Sequence, residues 1–438
     1  MIKRTGLQAF FANNRREVLI SIMTVVAIGI VGSFLVLTKA AGSTAASEAE
    51  SGSRSANASL VSDTSASGNS AVKFGAPSGS PVTCNLNATT ANFAAQVTAA
   101  SAGQTICLAT GNYGTWAGVN KAITISAASG ASPTMKFTFT SGDNGFTLDR
   151  IGGLGGTISN ATNITIQNGT FTSTVEVDGA STNNIRISHN NVLWPASSGG
   201  PNAKIILNES VTPTAGTVAS PSVIVEYNDI QNGDLDGVHI GGGAGLIVRY
   251  NRFKNLCDAG SNHTDNIQFE GGREVLISGN LVYAAQSCNT QGITSFDGGT
   301  NGVIIENNVV DIPRDWEIEL YSDKNSIVRH NTIVWRAAPY SGFGHATGII
   351  DFENKSGDPA GTGTHAYDNV AFISVVSPTT VTSDHNTNPS TVTFVGGVNS
   401  TTHDGFLLTA GSAGHLAASD GTDTGIYAIG NVTYGPLP

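Results

Sequence analysis

Short alternating runs of apolar residues recur along the chain from residue 164 onward, and each run ends at the same polar position. Written as apolar-x-apolar-x-x-Asn-x-apolar, the unit occurs at Ile185–Val192, Val223–Ile230, Leu246–Phe253, Val275–Val282, Val303–Val310 and Ser326–Ile333. Its Asn positions are Asn190, Asn228, Asn251, Asn280, Asn308 and Asn331, with a weaker last copy at Asn369. Ile164–Phe171 is a degenerate first copy carrying Gly169 in the Asn slot. Successive Asn positions are 38, 23, 29, 28, 23 and 38 residues apart. A short minimum step with occasional extra length is what one solenoid coil with variable surface loops gives.

The physical logic holds at each position. Period-2 alternation turns one side of every strand inward, and stacked coils bury a continuous aliphatic column with rungs ~4.8 Å apart. Asn suits a sharp turn because it tolerates left-handed backbone angles, and stacked amides can bond from rung to rung. A second strand follows each unit, as at Val238–Ile240, Ile267–Phe269, Ile318–Leu320 and Ile350–Phe352. With two further rungs between Ala122 and Leu148, the expected solenoid has about ten coils. Propeller blades of roughly 40–45 residues and a Leu-dominated repeat both fail to match. The predicted fold is all-β, a right-handed parallel β-helix.

The N-terminal pattern is different. Lys3, Arg4, Arg15 and Arg16 precede an unbroken apolar stretch from Val18 to Leu37, about the ~20 residues that cross a bilayer. The basic flank stays inside, which places the C-terminal mass outside. A cleaved signal peptide is the rival reading, since Ala40 and Ala41 follow, although such apolar cores run ~7–15 residues. Either reading exports the remainder. The expected organisation is a cytoplasmic basic segment (1–17), a transmembrane anchor or signal (18–37), a Ser/Ala/Gly-rich linker (38–81) and the β-helix domain (82–435). Within the linker, Glu48–Gly52 and Asp63–Gly68 resemble the opening of a carbohydrate-binding β-sandwich module, but the rest of such a module is missing.

Charge and cysteines narrow the partners. A net charge of −11 and no basic stripe beyond the first 40 residues argue against nucleic acid, which needs clustered Lys and Arg. One copy of the chain is expected. Four cysteines without a CxxC pair fit two disulfides in an exported protein. Cys84 and Cys107 flank a short amphipathic helix carrying Phe93 and Val97, so a local bridge is expected there. Cys257 and Cys288 follow Asn251 and Asn280 at six and eight residues, in the same turn of adjacent coils, where a bridge is geometrically reasonable.

The Asn-terminated coils, the cysteine-flanked helix and the late Asp404–Leu408 segment together resemble the pectin-lyase-like superfamily over about residues 82–435. That resemblance implies a groove on one face of a right-handed parallel β-helix, where polysaccharide lyases and glycoside hydrolases bind their chains. It implies fold more than activity. The Arg/Lys pairs and Asp clusters of its lyases, and the paired-Asp and Gly-His-Gly pattern of its polygalacturonase-like members, are absent at matching spacing.

The densest polar constellation falls on two adjacent coils: Asp234-Leu-Asp236-Gly-Val-His239, then His263-Thr-Asp265-Asn-Ile-Gln268-Phe-Glu270. If Val238 and Ile267 point inward, His239 and Gln268 point outward on neighbouring rungs, with Asp236 and Asp265 at the strand entrances. His239 or His263 would then serve as general base or acid. The aspartates would orient them or bind a cation; oxygen ligands suit Ca²⁺, whereas imidazoles favour a transition metal. The bland alternative is that Asp and Asn start turns while His and Gln stay solvated. The outward row continues through Thr294, Glu319 and Asp351, beside a second row of Glu270, Phe296, Tyr321 and Glu353. Glu319 with Asp351 makes a candidate glycosidase pair, and Phe296, Tyr321 and Trp316 could stack on sugar rings. Acidic residues on a solenoid also simply keep it soluble. Arg249, Arg252, Arg273 and Lys204 are the nearby cations that an elimination would call on. The chain is thus expected to bind, and as an enzyme to cleave, an extracellular polysaccharide; a non-catalytic adhesion solenoid is the alternative.

Overall fold

The computed structural model describes residues 82–437 except 194–202, 208–216, 259–262, 297, 315 and 338–346, together with two strands at 58–62 and 70–74. The predicted cytoplasmic segment and anchor, 1–37, lie outside these residues. Among the described residues no helix is long and apolar enough to cross a membrane. Ala58–Ser62 and Ser70–Phe74 pair antiparallel inside the stretch expected as linker, in a unit spanning Met1–Pro77. The second unit, Ser78–Pro438, is built from parallel strands.

These strands stack in three columns. The first sheet holds 13 strands in chain order, from Leu86–Ala88 to Val381–Asp384, each paired in parallel with the strand one coil away. Its inward positions follow the repeat: Ile187, Val225, Val248, Ile277, Ile305, Val328 and Ala366 are in register and fully buried. A second column of short strands carries Val192, Ile230, Phe253, Val282, Val310 and Ile333 inward. The third runs through Ala203–Leu207, Asp236–Ile240, Asp265–Phe269, Gln291–Ser295, Ile318–Tyr321, Ile349–Glu353 and Phe372–Val375. The architecture is a parallel β-helix around one aliphatic core.

The Asn ladder explains why that residue recurs. Each amide Nδ2 donates to the next Asn Oδ1, at 3.0 Å for Asn190 to Asn228 and for Asn228 to Asn251. The ladder continues through Asn280, Asn308, Asn331 and Asn369 to Asn386. The same Oδ1 also accepts the preceding Asn's backbone N–H, for example Asn251 N–H to Asn280 at 3.0 Å. The left-handed angle expected at the Asn belongs instead to the residue before it. His189, Tyr227, Tyr250, Asn307, His330 and Asp368 have φ of 52–57°, and Gly279 has 64°. The turn therefore reverses one residue earlier, which leaves the Asn side chain directed inward for stacking. Gly169 breaks the series because there is no room: a Cβ there would lie 2.6 Å from Leu154 Cδ1 and 2.7 Å from the Ile151 carbonyl oxygen.

The N-terminal end is capped, and the C-terminal segment packs along the side of the coils. At the N-terminal end the helix Phe93–Ala99 seats Phe93 against Tyr113 and Trp116, with ring centroids 5.3 and 5.9 Å away. Lys121 Nζ donates to the Val97, Thr98 and Ala100 carbonyls at the C-terminal end of this helix. That satisfies orphan acceptors and complements the helix dipole. Cys84 bridges to Cys107 and Cys257 to Cys288, as expected. Past the last coil, Phe394, Phe406, Leu408 and Ile426 fold back over Leu281, Val309 and Val370 on the outer side of the second column. The remaining tail retreats along the turns. Gly425 N–H donates to the Asp368 carbonyl, Tyr427 N–H to Asn307 Oδ1, Gly435 N–H to the Tyr227 carbonyl and Leu437 N–H to Asn168 Oδ1.

Candidate functional site

The outward row of the third column is in register through five rungs. His239 pairs with Gln268, Gln268 with Thr294, Thr294 with Glu319 and Glu319 with Asp351. Tyr321 pairs with Glu353 in the adjacent row. Alternation forces this, because Val238, Ile267, Ile293, Ile318 and Ile350 occupy the core side of the same strands. Asp236 and Asp265 open their strands.

The row divides into a buried part and an open part. Asp236, His239, Asp265 and Glu319 are 2, 5, 1 and 2 % exposed, so the bland alternative of a solvated His239 is not what forms. Neighbouring rungs cover them. Asp236 Oδ1 accepts the Asp265 N–H at 2.8 Å, and Asp265 Oδ1 accepts the Thr294 hydroxyl at 2.8 Å. His239 sits between two carboxylates, with Nδ1 3.6 Å from Asp236 and Nε2 3.4 Å from Glu270. Gln268, Tyr321, Asp351 and Glu353 are half-buried, whereas Glu270, Phe296 and His263 are exposed. His263 stands apart from the packed row, although its charge still bears on Asp236.

Burial sets the protonation of this face. Desolvation pushes the Asp236 carboxyl up, opposed by His239 beside it and by the hydrogen bond from the Asp265 amide. Asp265 is raised well above the carboxylate range, first by burial and then by the charge of Asp236 beside it. Glu353 is raised by burial and by Asp351. The Tyr321 hydroxyl, donating to Glu319 Oε1 at 2.8 Å, is raised by burial and held firmly protonated. Lys204 is fully buried one rung before Gly237, and burial lowers it to about 8 against the opposing charge of Asp234.

Glu319, Asp351 and Glu353 offer carboxylate oxygens that all lie within 4.8 Å of one another. Asp351 Oδ1 is buried without a hydrogen-bond partner. A purely oxygen donor set with an orphaned carboxylate oxygen fits a hard cation such as Ca²⁺ better than a transition metal. Glu353 joins the site on this geometry, and the Asp351-x-Glu353 alternation already put it on the outer face. Beside the triad, Phe296 and Tyr321 pack edge to face with centroids 5.0 Å apart, and Lys355 Nζ lies 4.7 Å from the Phe296 ring centre. Arg314 stacks on Trp316 at 3.9 Å. Arg249 and Arg252 face away from this row. They are held by Glu226 and Asp229, both at 2.8 Å or less, on the other two columns.

The chain matches no family model and no curated protein. Among solved structures it is similar to the pectate lyase Pel9A, at 14% identity and a TM-score of 0.42, over 79% of this chain and 89% of that one. It is also similar to the PL6-family alginate lyase AlyGC, at 13% identity and a TM-score of 0.42, over 81% of this chain and 59% of that one. A mannuronic acid specific polysaccharide family 6 lyase from human gut microbiota matches at 12% identity and a TM-score of 0.38, over 67% and 82% of the two chains.

Proposed function

We propose that this chain is an extracytoplasmic carbohydrate-active enzyme that binds an acidic polysaccharide along its third column and cleaves it by β-elimination. The observation that carries the reading is the in-register row His239–Gln268–Thr294–Glu319–Asp351, which presents polar side chains over five successive rungs. Five rungs span ~19 Å, a length suited to a polymer rather than a small metabolite.

In this reading the reacting uronate lies over Gln268 and Glu270 beside His239, with the following sugar rings against Phe296 and Tyr321. Glu319, Asp351 and Glu353 would hold Ca²⁺, which supplies positive charge to a sugar carboxylate that this acidic face would otherwise repel. His239, oriented by Asp236 and Glu270, takes the proton alpha to the carboxylate. The electron pair forms a carbon–carbon double bond, the glycosidic oxygen leaves with a proton from water, and His239 returns its proton to the solvent. Anchorage through residues 18–37 would keep this chemistry at the cell surface.

The test is to incubate the full chain with acidic and neutral polysaccharides, with and without Ca²⁺. The unsaturated-uronate absorbance is expected with acidic substrates and is lost in His239→Ala. New reducing ends without that absorbance would replace elimination by hydrolysis through Glu319 and Asp351. Absence of both products would leave the adhesion solenoid.

A further inference from the structure

The two ends of the solenoid are finished differently. The first coils are closed by the Phe93–Ala99 helix and the Cys84–Cys107 bridge. The last coil is not closed among the described residues. Val375 pairs with Phe352 and so continues an inward row, yet it is 41 % exposed. Ile373 and Val381, also inward, are only partly buried against the core, and Phe372 and Val376 are 38 and 43 % exposed. Among the described residues Phe372–Val375 and Val381–Asp384 are the terminal strands of their columns, each paired with a strand on one side. Terminal repeats normally carry polar caps, and exposed edges normally carry Lys, Pro or a bulge.

Charge identifies what this end accepts. The chain carries a net charge of −11, so copies repel one another over most of their surface. From Val370 to Ser383 there is no Asp, Glu, Lys, Arg or His. This stretch is therefore an uncharged place where a second copy can approach, and Asp384, which ends the second edge strand beside it, is held within the chain by His365 and His385. Head-to-tail stacking is blocked by the N-terminal helix, so only like ends can meet, and a two-fold contact closes on itself instead of growing.

We infer that this protein forms a tail-to-tail dimer through its last coil, in place of the single copy expected from the sequence. The edge strands Phe372–Val375 and Val381–Asp384 meet their counterparts from a second copy, and Phe372, Val375 and Val376 lose their exposure there. This inference is independent of the chemistry proposed for the third column.

The experiment is light scattering or sedimentation of the full chain in detergent. Twice the chain mass is expected for the protein, and the single mass for Val375→Lys. Thr382→Lys changes an exposed side chain on the edge strand, so it tests the same contact without touching the core. Both substitutions should weaken association by at least ~100-fold, because each places like charges across the two-fold. Val395→Lys, at a 65 % exposed position outside the last coil, should leave the dimer intact. A wild-type protein that stays monomeric at its highest soluble concentration would overturn the inference, and slow amide exchange at Ile373 in that monomer would mean that the chain covers its own edge. A dimer that survives both Lys substitutions would overturn it equally, by placing the contact elsewhere, as in the N-terminal apolar segment.

Discussion

Replacing Asn251 by Ala tests the ladder at its centre. The side chain is fully buried, and its Nδ2 donates to the Val225 and Arg249 carbonyls and to Asn280 Oδ1, at 2.9, 3.1 and 3.1 Å. Its Oδ1 accepts from Asn228 N–H and Nδ2, both at 3.0 Å. Not all five losses are equal. Asn228 Nδ2 keeps its bond to the Ile187 carbonyl, and Asn280 Oδ1 keeps the Asn251 backbone N–H. The Asn228 N–H, however, is left in the core without its acceptor. One orphaned buried donor costs ~1–3 kcal/mol, and the weakened carbonyls add about 1 kcal/mol more each. The expected loss is about 4 kcal/mol. At the ladder's end, Asn386 is only half-buried and receives Asn369 N–H and Nδ2 at 3.0 and 2.9 Å. Water can replace that partner, so Asn386→Ala should cost only ~1 kcal/mol. Urea unfolding of both variants, followed by circular dichroism, gives the difference. Equal losses, or a loss below ~1 kcal/mol at Asn251, would refute the claim that the buried amide satisfies the backbone.

Four other outcomes follow from the same geometry. Gly169→Asn, which completes the repeat on paper, should destabilise by ~1–3 kcal/mol through overpacking against Leu154 and Ile151; a gain in urea midpoint would contradict the fit described above. Removing the Cys257–Cys288 bridge, which closes a separation of 31 residues, should cost ~3–4 kcal/mol by the chain-entropy rule, read as a lower thermal midpoint in Cys257→Ser/Cys288→Ser. His239→Ala should lower kcat by ~10²–10⁴ on whichever polysaccharide proves to be cleaved, with far-ultraviolet dichroism unchanged. Asp265 has a folded-state pKa above its unfolded one, so its contribution is fully present below the ordinary carboxylate range and is lost as pH rises through the folded value. Asp265→Asn keeps an oxygen for Thr294 and should therefore raise the thermal midpoint at neutral pH more than at pH ~4; a larger gain in acid would show the carboxylate to be ionised in the fold.

The architecture was legible because each coil repeats one pattern: alternation, then Asn, then an apolar residue. The rows of the third column followed from period-2 counting alone, which placed His239, Gln268, Thr294, Glu319 and Asp351 side by side as the strands pair them. Burial was less legible. An outward residue on a flat sheet is solvated, but His239 is wedged between Asp236 and Glu270, and that depends on side-chain direction in three dimensions. The same limit hid Lys204, whose burial the sequence around it does not announce. The left-handed turn residue escaped notice because its side chains differ, as His189, Tyr227 and Asp368 do, and only the backbone is common to them.

The returning C-terminal tail imposes an order of events on folding. Leu437 N–H reaches Asn168 Oδ1, a contact 269 residues distant in sequence, and Tyr427 N–H reaches Asn307 Oδ1 across 120. A chain emerging from its N-terminus can stack coils as they appear, since each needs only its neighbour. The tail's docking surface exists only after those coils do, and residues 425–437 follow all of them along the chain. Loop closure over such distances is slow, so docking of residues 425–437 should be the final step. A molecule in which residues 425–437 have not docked would have a complete solenoid and still lack these contacts, which would give a protease a way to tell finished molecules from unfinished ones.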